Sequence, residues 1–162
     1  MAVQELSLPA VAQALADQHH RGRRVRVVLE NTYSTPWSEQ HEAELSPHLR
    51  SRRRQLLQLA DRNHDGVLSP AEREAGDAVL ILRRAGVPVI DDREDGSAGS
   101  GLMHSKYLVV DGRTVVTGSA NWSAASWANN ENSLWIRDMT LGAAYTAWFE
   151  RVYTSATVFT GM

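Results

Sequence analysis

Residues 104–121 read HSKYLVVDGRTVVTGSAN, and this stretch decides the fold prediction. Two β-rich apolar runs, at 104–110 and 114–117, are joined by Asp111-Gly112-Arg113. Asp-Gly between two such runs is a strong hairpin signal, because both residues tolerate the backbone conformation of a tight turn. The segment therefore predicts two adjacent antiparallel strands.

Helical and extended patterns alternate on both sides of this hairpin. The predicted helices cover residues 9–18, 47–60, 71–85, 123–129 and 141–153, and the further strands cover 24–29, 87–90 and 133–136. Ser46-Pro47 has the pattern of an N-cap followed by proline at the first helical position. Residues 31–44 show no period and are predicted to be a loop. Such alternation predicts an α/β layer architecture in one domain over residues 1–162.

Composition limits the class of protein. The chain has 162 residues, of which 43 % are hydrophobic and 22 % charged, which is typical of a soluble globular domain. No run approaches the ~18 apolar residues of a membrane span, and the first twenty residues lack a signal-peptide pattern. The lack of cysteine excludes disulfides and thiolate sites. We expect a soluble protein and leave its compartment open: bacterial cytoplasm, or export if the start is truncated.

Chemistry-bearing side chains are concentrated in the same stretch. His104 and the only lysine, Lys106, stand two positions apart on a predicted strand and so leave one face. Ser119 and Asn121 follow the next strand, and together these groups suit a tetrahedral phosphoryl anion. A structural histidine and ordinary post-strand polar residues are the alternative interpretation. Asp111 lies about 23 Å of extended chain from His104 and is expected to serve the hairpin.

The spacing of these residues is more specific than their types. His104-Ser-Lys106, four residues, Asp111, six residues and then Gly118-Ser119-Ala120-Asn121 resembles the HKD motif of the phospholipase D superfamily. The resemblance implies a mixed sheet flanked by helices and a phosphodiesterase activity. A single motif in a small chain is most similar to the nuclease-like branch.

The resemblance also implies a role for each residue. His104 would be the nucleophile that forms a phosphohistidine, or the general acid in a partner copy. Lys106 and Asn121 would bind phosphoryl oxygens, with Ser119 as a hydrogen-bond donor. Glu131, ten positions after Asn121, would hold the far nitrogen of a histidine. This chemistry needs no metal.

Two departures from the family pattern raise further expectations. The family's active site uses two motifs, whereas this chain has one. We therefore expect either a homodimer that pairs two motifs, or a partner motif on sequence not present here. The family's fold also begins with a strand and a helix before the segment that starts at Pro9, and we expect these elements to be missing.

A second motif lies between two predicted helices. Residues 61–72 resemble an EF-hand calcium loop, with glycine at position 6. The candidate Ca²⁺ ligands are Asp61, Asn63, Asp65, the carbonyl of Val67, Ser69 and Glu72. The alternative is a polar interhelical turn. We expect a helix–loop–helix insertion over residues 46–85 that binds Ca²⁺ weakly and for a structural purpose. A regulatory role, or the pairing of two such loops in a dimer, is the alternative.

Three functions remain open from the sequence. The favoured one is a phosphodiesterase acting on DNA or RNA. A phospholipase D-type phospholipid hydrolase or transphosphatidylase is an alternative, although no apolar membrane-facing stretch is evident. A catalytically silent, calcium-binding half of a larger two-motif protein is the other. The net charge of −2 gives no general attraction for nucleic acid, and the arginines at 50, 52, 53 and 54 are interpreted as a solvated helix face.

Overall fold

The structure is a computed structural model that describes residues 1–92 and 103–159. Its centre is a six-stranded mixed sheet, which confirms the predicted architecture. The strands are β1 (Ala2–Val3), β2 (Val27–Leu29), β3 (Val89–Asp91), β4 (Lys106–Val110), β5 (Thr114–Gly118) and β6 (Ser133–Arg137). Their order is β3-β2-β1-β4-β5-β6. The first three strands run parallel, and β4, β5 and β6 continue the sheet antiparallel.

Helices cover both faces of this sheet. They are α1 (Pro9–His20), α2 (Pro47–Ala60), α3 (Pro70–Gly76), α4 (Ala78–Arg84) and α5 (Met139–Phe159). Apolar residues of α1 and α4 pack with Val3, Val27 and Leu29 on one face. Phe149 of α5 packs with Ala2, Val28 and Tyr107 on the other. A smaller cluster of Trp37, Leu56 and Ala60 lies under α2. No helix in the described part of the chain is long and apolar enough to span a membrane.

The predicted hairpin is confirmed by the turn between β4 and β5. Asp111 has φ 53° and Gly112 has φ 64°, so both central residues are left-handed, as a type I′ turn requires. The pairing runs from Val110 opposite Thr114 to Tyr107 opposite Thr117. Asp111 therefore serves the turn at one end of the hairpin, while Lys106 lies at the other.

The predicted helix over residues 71–85 is wrong in one respect, because it is two helices. The helix is interrupted at Asp77, whose Oδ1 accepts hydrogen bonds from the N–H groups of Val79 and Leu80 and so caps α4. Its Oδ2 accepts a hydrogen bond from the N–H of Ser38. Asp77 is fully buried, and this burial raises the pKa of its carboxyl group. The apolar period continues through the break, and therefore gave no sign of it.

Two segments near the N-terminus also differ from the prediction. Ala2–Val3 forms β1, a strand that the pattern does not predict and that lies between β2 and β4 in the sheet. One strand thus precedes Pro9, where the resemblance suggested that such a strand was absent. The predicted loop at 31–44 contains three short 3₁₀ turns, at Asn31–Tyr33, Trp37–Glu39 and Glu42–Glu44.

Candidate active site

The predicted catalytic residues, except Asp111, cluster at one end of the sheet. Lys106 begins β4 and pairs with Val3, the last residue of β1. Gly118 ends β5 and pairs with Ser133, the first residue of β6. In neighbouring antiparallel strands, one strand begins at the end of the sheet where the other stops. His104, Ser119, Asn121 and Glu131 therefore flank this same end of the sheet.

Lys106 and Asn121 converge on one oxygen atom. Gln4 Oε1 accepts a hydrogen bond from Lys106 Nζ at 3.3 Å and another from Asn121 Nδ2 at 3.2 Å. The two nitrogens are therefore at most about 6.5 Å apart, the sum of those distances. Asn121 Oδ1 accepts from the N–H of Glu5 at 3.4 Å, which fixes both ends of the amide. Two donors aimed at one acceptor are suited to an oxyanion.

Lys106 is held in a partly dehydrated position. The residue is only 8 % exposed, and its Nζ also donates to the carbonyl of His104 at 3.1 Å. Burial lowers the pKa of its ammonium group, and the charge of Glu131 opposes this effect. A buried cation interacts more strongly with an anionic ligand than a solvated one does.

Ser119 and Glu131 form a second hydrogen-bonded group beside Lys106. Ser119 Oγ donates to Glu131 Oε2 at 2.5 Å, and Asn129 Nδ2 donates to Glu131 Oε1 at 3.2 Å. These hydrogen bonds, from Ser119 first, lower the pKa of the Glu131 carboxyl group, and the charge of Lys106 contributes. Asn132 binds Ser119 through both backbone and side chain.

A close backbone approach explains why Gly118 precedes Ser119. A Cβ atom on residue 118 would lie 2.1 Å from the carbonyl oxygen of Asn132 and 2.9 Å from its carbonyl carbon. Only glycine leaves room for this contact. Glycine therefore allows the segment before β6 to close onto Ser119 and bring Glu131 with it.

His104 is exposed at the edge of this group. Its imidazole forms no hydrogen bond with another residue in the described ranges, including Glu131. The expected contact between Glu131 and a histidine is therefore not made with His104 of the same chain. Asp111 lies at the far end of β4, five residues or about 16 Å from Lys106.

Gln4 is the site residue that the sequence did not indicate. It follows the unpredicted strand β1, and its N–H donates to the carbonyl of Ser105 at 3.0 Å. A lone glutamine carries no catalytic pattern, and its contact with Lys106 spans 102 residues. Knowledge of the strand order would have been needed to place it.

The predicted calcium loop has the expected helix–loop–helix surroundings, since it joins α2 to α3. Among the described residues, no group of three or more His, Cys, Asp or Glu side chains is gathered as a metal centre. Three of the six candidate ligands are Asn63, Ser69 and the carbonyl of Val67, and these do not belong to the four side-chain types just named. The hydrogen bonds from Ser69 lower the pKa of the Glu72 carboxyl group.

An apolar cavity of about 420 Å³ lies between the sheet and α5, at the same end as the catalytic residues. It is lined by Ser105, Lys106, Tyr107, Thr117, Ala144, Tyr145 and Trp148. Large apolar side chains stand open to solvent nearby: Leu134, which pairs with Thr117, is 55 % exposed, and Trp148 is 50 % exposed. The guanidinium of Arg151 lies 5.1 Å from the Trp148 ring centre.

Comparison with known proteins gives one family. The model of a family described as "cardiolipin synthase, PLD-like domain" matches residues 1–153. A mitochondrial cardiolipin hydrolase of Xenopus tropicalis is 32 % identical over 148 residues, which are 91 % of this chain and 50 % of that protein. The human protein of the same name is 35 % identical over 79 residues, 48 % of this chain and 29 % of its own length. The chain thus spans about half the length, or less, of these curated relatives.

Two solved structures share the fold. Nuc from Salmonella typhimurium, a phospholipase D family member, superposes with a TM-score of 0.59 at 20 % identity, covering 96 % of this chain and 76 % of Nuc. NucT from Helicobacter pylori has a TM-score of 0.55 at 18 % identity, covering 95 % of this chain and 77 % of NucT. At these identities the likeness concerns the fold alone.

Proposed function

Because this chain belongs to the phospholipase D-like family, we propose that it hydrolyses phosphodiester bonds through a phosphohistidine intermediate. The observation that carries the proposal is the convergence of Lys106 Nζ and Asn121 Nδ2 on a single oxygen of Gln4. A phosphoryl oxygen of the substrate would take the place of that acceptor. The exposed imidazole of His104, at the same edge of the sheet, is open to a substrate bound there.

The proposed reaction has two displacements at phosphorus. In the first, His104 Nε2 forms a bond to phosphorus while the bond to the leaving oxygen breaks, and a second histidine gives that oxygen a proton. In the second, a water molecule attacks the phosphohistidine and gives its proton to the second histidine. The P–N bond then breaks, and its electron pair returns to the imidazole. Lys106 and Asn121 stabilise the charge on the non-bridging oxygens in both steps.

We propose that the second histidine is His104 of another copy of this chain. Lys106, Leu108 and Val110 leave one face of the sheet, and paired residues Val116 and Trp135 share that face. Helices α1 and α4 cover the β1–β3 side of the face, whereas Trp135 is 78 % exposed and Val110 is 43 % exposed. A second copy on this open region would bury apolar surface on the face from which Lys106 leaves the sheet. Glu131 would then orient the histidine of the other copy.

Phospholipid headgroups are the substrate class that the surface favours. The cavity beside α5, with Leu134 and Trp148 exposed at its margin and Arg151 beside Trp148, offers apolar surface next to a cation. This surface comes from separate parts of the chain, so no contiguous stretch indicated it. The relatives named as cardiolipin hydrolases point in the same direction.

Nucleic acid has less support from the arginine cluster on α2. Arg52 forms an ion pair with Glu5 at 2.9 Å, Arg53 Nε donates to the carbonyl of Trp37, and Arg50 Nε donates to the carbonyl of Leu45. These guanidinium groups hold the helix to the rest of the chain. The expected solvated face is therefore partly a structural one, and the cluster is not free to follow a phosphate backbone.

The test compares three phosphodiesters in excess chelator: bis-p-nitrophenyl phosphate, single-stranded DNA and cardiolipin vesicles. We expect hydrolysis of the generic ester and of cardiolipin, with loss of both in His104→Asn. His48→Asn, a change at an exposed histidine of α2, is the matched control and should keep the wild-type rate. Full activity of His104→Asn would refute the mechanism. Cleavage of DNA without cleavage of cardiolipin would refute the substrate class alone.

The paired site has its own measurement. Sedimentation should show dimers at the concentrations that support hydrolysis, and the rate per chain should rise with chain concentration. A strict monomer with full activity would refute the pairing of two copies.

A further inference from the structure

The segment between α2 and α3 contains polar chemistry that the proposed reaction does not use. Residues 61–72 place side-chain oxygens at positions 1, 3, 5, 9 and 12, with glycine at position 6. This is the ligand pattern of a twelve-residue calcium loop, in which position 7 supplies a carbonyl. Its Leu68 packs on the cluster of Trp37, Leu56 and Ala60, and the proposed reaction assigns no role to any of its residues, so the segment needs a separate explanation.

The loop is closed on itself in the way that such a site requires. Asp61 Oδ2 accepts from the N–H of Gly66 at 2.9 Å, and Asp65 Oδ1 accepts from the N–H of Val67 at 2.7 Å. Glu72, in the first turn of α3, reaches back and accepts from the N–H of Arg62 at 3.1 Å. Gly66 has φ 78°, which favours glycine at the sharp turn. Glu72 is therefore tied by hydrogen bonds both to Arg62, beside the first ligand position, and to Ser69, the ninth position.

A buried oxygen without a partner gives an independent reason to expect a cation. Asp61 Oδ1 is buried and has no hydrogen-bond donor, although its companion Oδ2 is paired. Asp61 lines a second cavity, together with Arg53 and Arg73, yet neither arginine donates a hydrogen bond to Asp61 Oδ1. An unpaired carboxylate oxygen is unfavourable in the protein interior, and a coordinated cation would satisfy it.

We propose that residues 61–72 bind one Ca²⁺ ion, which stabilises the α2–α3 pair without taking part in the reaction. The donor set consists only of oxygens, with three carboxylates in Asp61, Asp65 and Glu72, and such sets bind hard cations. A twelve-residue loop with these oxygen ligands suits Ca²⁺ better than Mg²⁺, because Mg²⁺ requires a smaller and nearly ideal octahedron. A single loop with three carboxylates should bind with a Kd between about 10⁻⁵ and 10⁻³ M.

The ion would act on a tightly packed helix pair. A Cβ on Gly76 of α3 would lie 2.6 Å from the Cβ of Ala60 in α2, so these helices are in close contact. Leu68, inside the loop, packs on the cluster of Trp37, Leu56 and Ala60. Binding at the loop would hold both helix ends and Leu68 in place together. Since this effect is structural, the proposal does not depend on the proposed phosphodiesterase activity.

The test is a calorimetric titration of the chelator-treated full chain with CaCl₂ and, separately, with MgCl₂. We expect one Ca²⁺ per chain, a rise in the thermal midpoint with Ca²⁺, and a much smaller rise with equal Mg²⁺. The inactive variant His104→Asn should bind Ca²⁺ as well as the wild type, which separates this result from any failure of the catalytic proposal. Absence of binding up to ~10 mM Ca²⁺, or equal effects of the two cations, would overturn the proposal.

Variants locate the site. Glu72→Gln removes the twelfth ligand's charge but keeps a side chain that can close the capping box with Ser69, so α3 should still form. We expect its Kd to rise about tenfold or more. Glu74→Gln, the matched change two positions along α3, affects only an exposed ion pair with Arg84 and should bind normally. Asp65→Asn is the second test if Glu72→Gln does not fold, and unchanged affinity in either would place the ion elsewhere.

Discussion

Replacement of Gly118 by alanine should inactivate the site by moving the segment before β6, which carries Glu131. The new Cβ would lie 2.1 Å from the carbonyl oxygen of Asn132, whereas ordinary contacts begin near 3.4 Å, so the backbone must shift by about 1.3 Å. That shift breaks the hydrogen bonds between Ser119 and Asn132, which are 3.0 to 3.2 Å long. Overpacking costs about 1–3 kcal/mol, and each lost hydrogen bond adds about 0.5–1.5 kcal/mol.

The same shift should reduce the rate of hydrolysis more strongly than it reduces stability. Ser119 and Glu131 would be displaced by about 1 Å, and a misplacement of that size reduces turnover by about 10²-fold. The assay is hydrolysis of bis-p-nitrophenyl phosphate at a temperature where urea unfolding shows the variant to be folded. The rate is then expressed per folded molecule.

Gly142→Ala is the matched control at the other end of the sheet. Its Cβ would lie 2.2 Å from the carbonyl oxygen of Gly112, in the hairpin turn, so it should destabilise the fold to a similar extent. Because the hairpin turn is remote from Lys106, the folded variant should keep the wild-type rate. A wild-type rate in Gly118→Ala, or an equal loss in Gly142→Ala, would refute the argument that this contact positions the site.

Three further predictions concern single side chains. Asp77→Ala should lower the free energy of unfolding by about 2–4 kcal/mol, because it removes an N-cap and leaves the Ser38 N–H unpaired. Asp77→Asn should cost less. Because burial raises the pKa of the Asp77 carboxyl group, the free energy of unfolding of the wild type should decline as the pH rises above 3.8 toward that raised pKa, and Asp77→Asn should lack this decline. Urea unfolding at several pH values measures both effects, and an equal loss of free energy in Asp77→Ala and Asp77→Asn would contradict the prediction. Gln4→Leu should reduce kcat about tenfold by releasing Lys106 and Asn121, while Gln4→Glu should move the alkaline limb of the pH–rate profile upward; an unchanged profile would show that Gln4 does not influence the lysine. Since burial lowers the Lys106 pKa, the wild-type rate should fall on the alkaline side below pH 10.5, and Lys106→Arg should lack that limb; an identical limb in Lys106→Arg would assign it to another group.

The parts of the fold that the sequence predicted are those specified by neighbouring residues. The Asp111-Gly112 turn needs two left-handed residues, and the pair that can adopt that conformation stands between two β-rich runs. Helix α2 likewise begins where Ser46 can cap it, and the Ser46 side chain does accept from the N–H of Leu49. Such signals lie within a few neighbouring residues, so they can be recognised without knowledge of the tertiary structure.

The parts that were missed depend on contacts between distant residues. The strand at Ala2–Val3 is too short to show any alternation, and it is a strand because β2 and β4 pair with it on either side. At the break, the second oxygen of Asp77 accepts from the Ser38 N–H, which lies 39 positions away in the chain. Periodicity alone favours one long helix there, because Ala75, Ala78, Val79 and Leu82 continue the same apolar face.

The candidate site combines both kinds of information, and this explains why it was only partly predicted. The motif supplies Lys106 and Asn121, but the oxygen on which both converge belongs to Gln4, at the end of the unpredicted strand. When that oxygen is exchanged for a phosphoryl oxygen, both donors keep a partner and Lys106 gains an anionic one. A neutral acceptor would therefore keep the two donors oriented without competing strongly with substrate, since a carboxylate at this position would bind the ammonium group more tightly. For that reason a glutamine, which carries no catalytic signature of its own, is the residue that suits position 4.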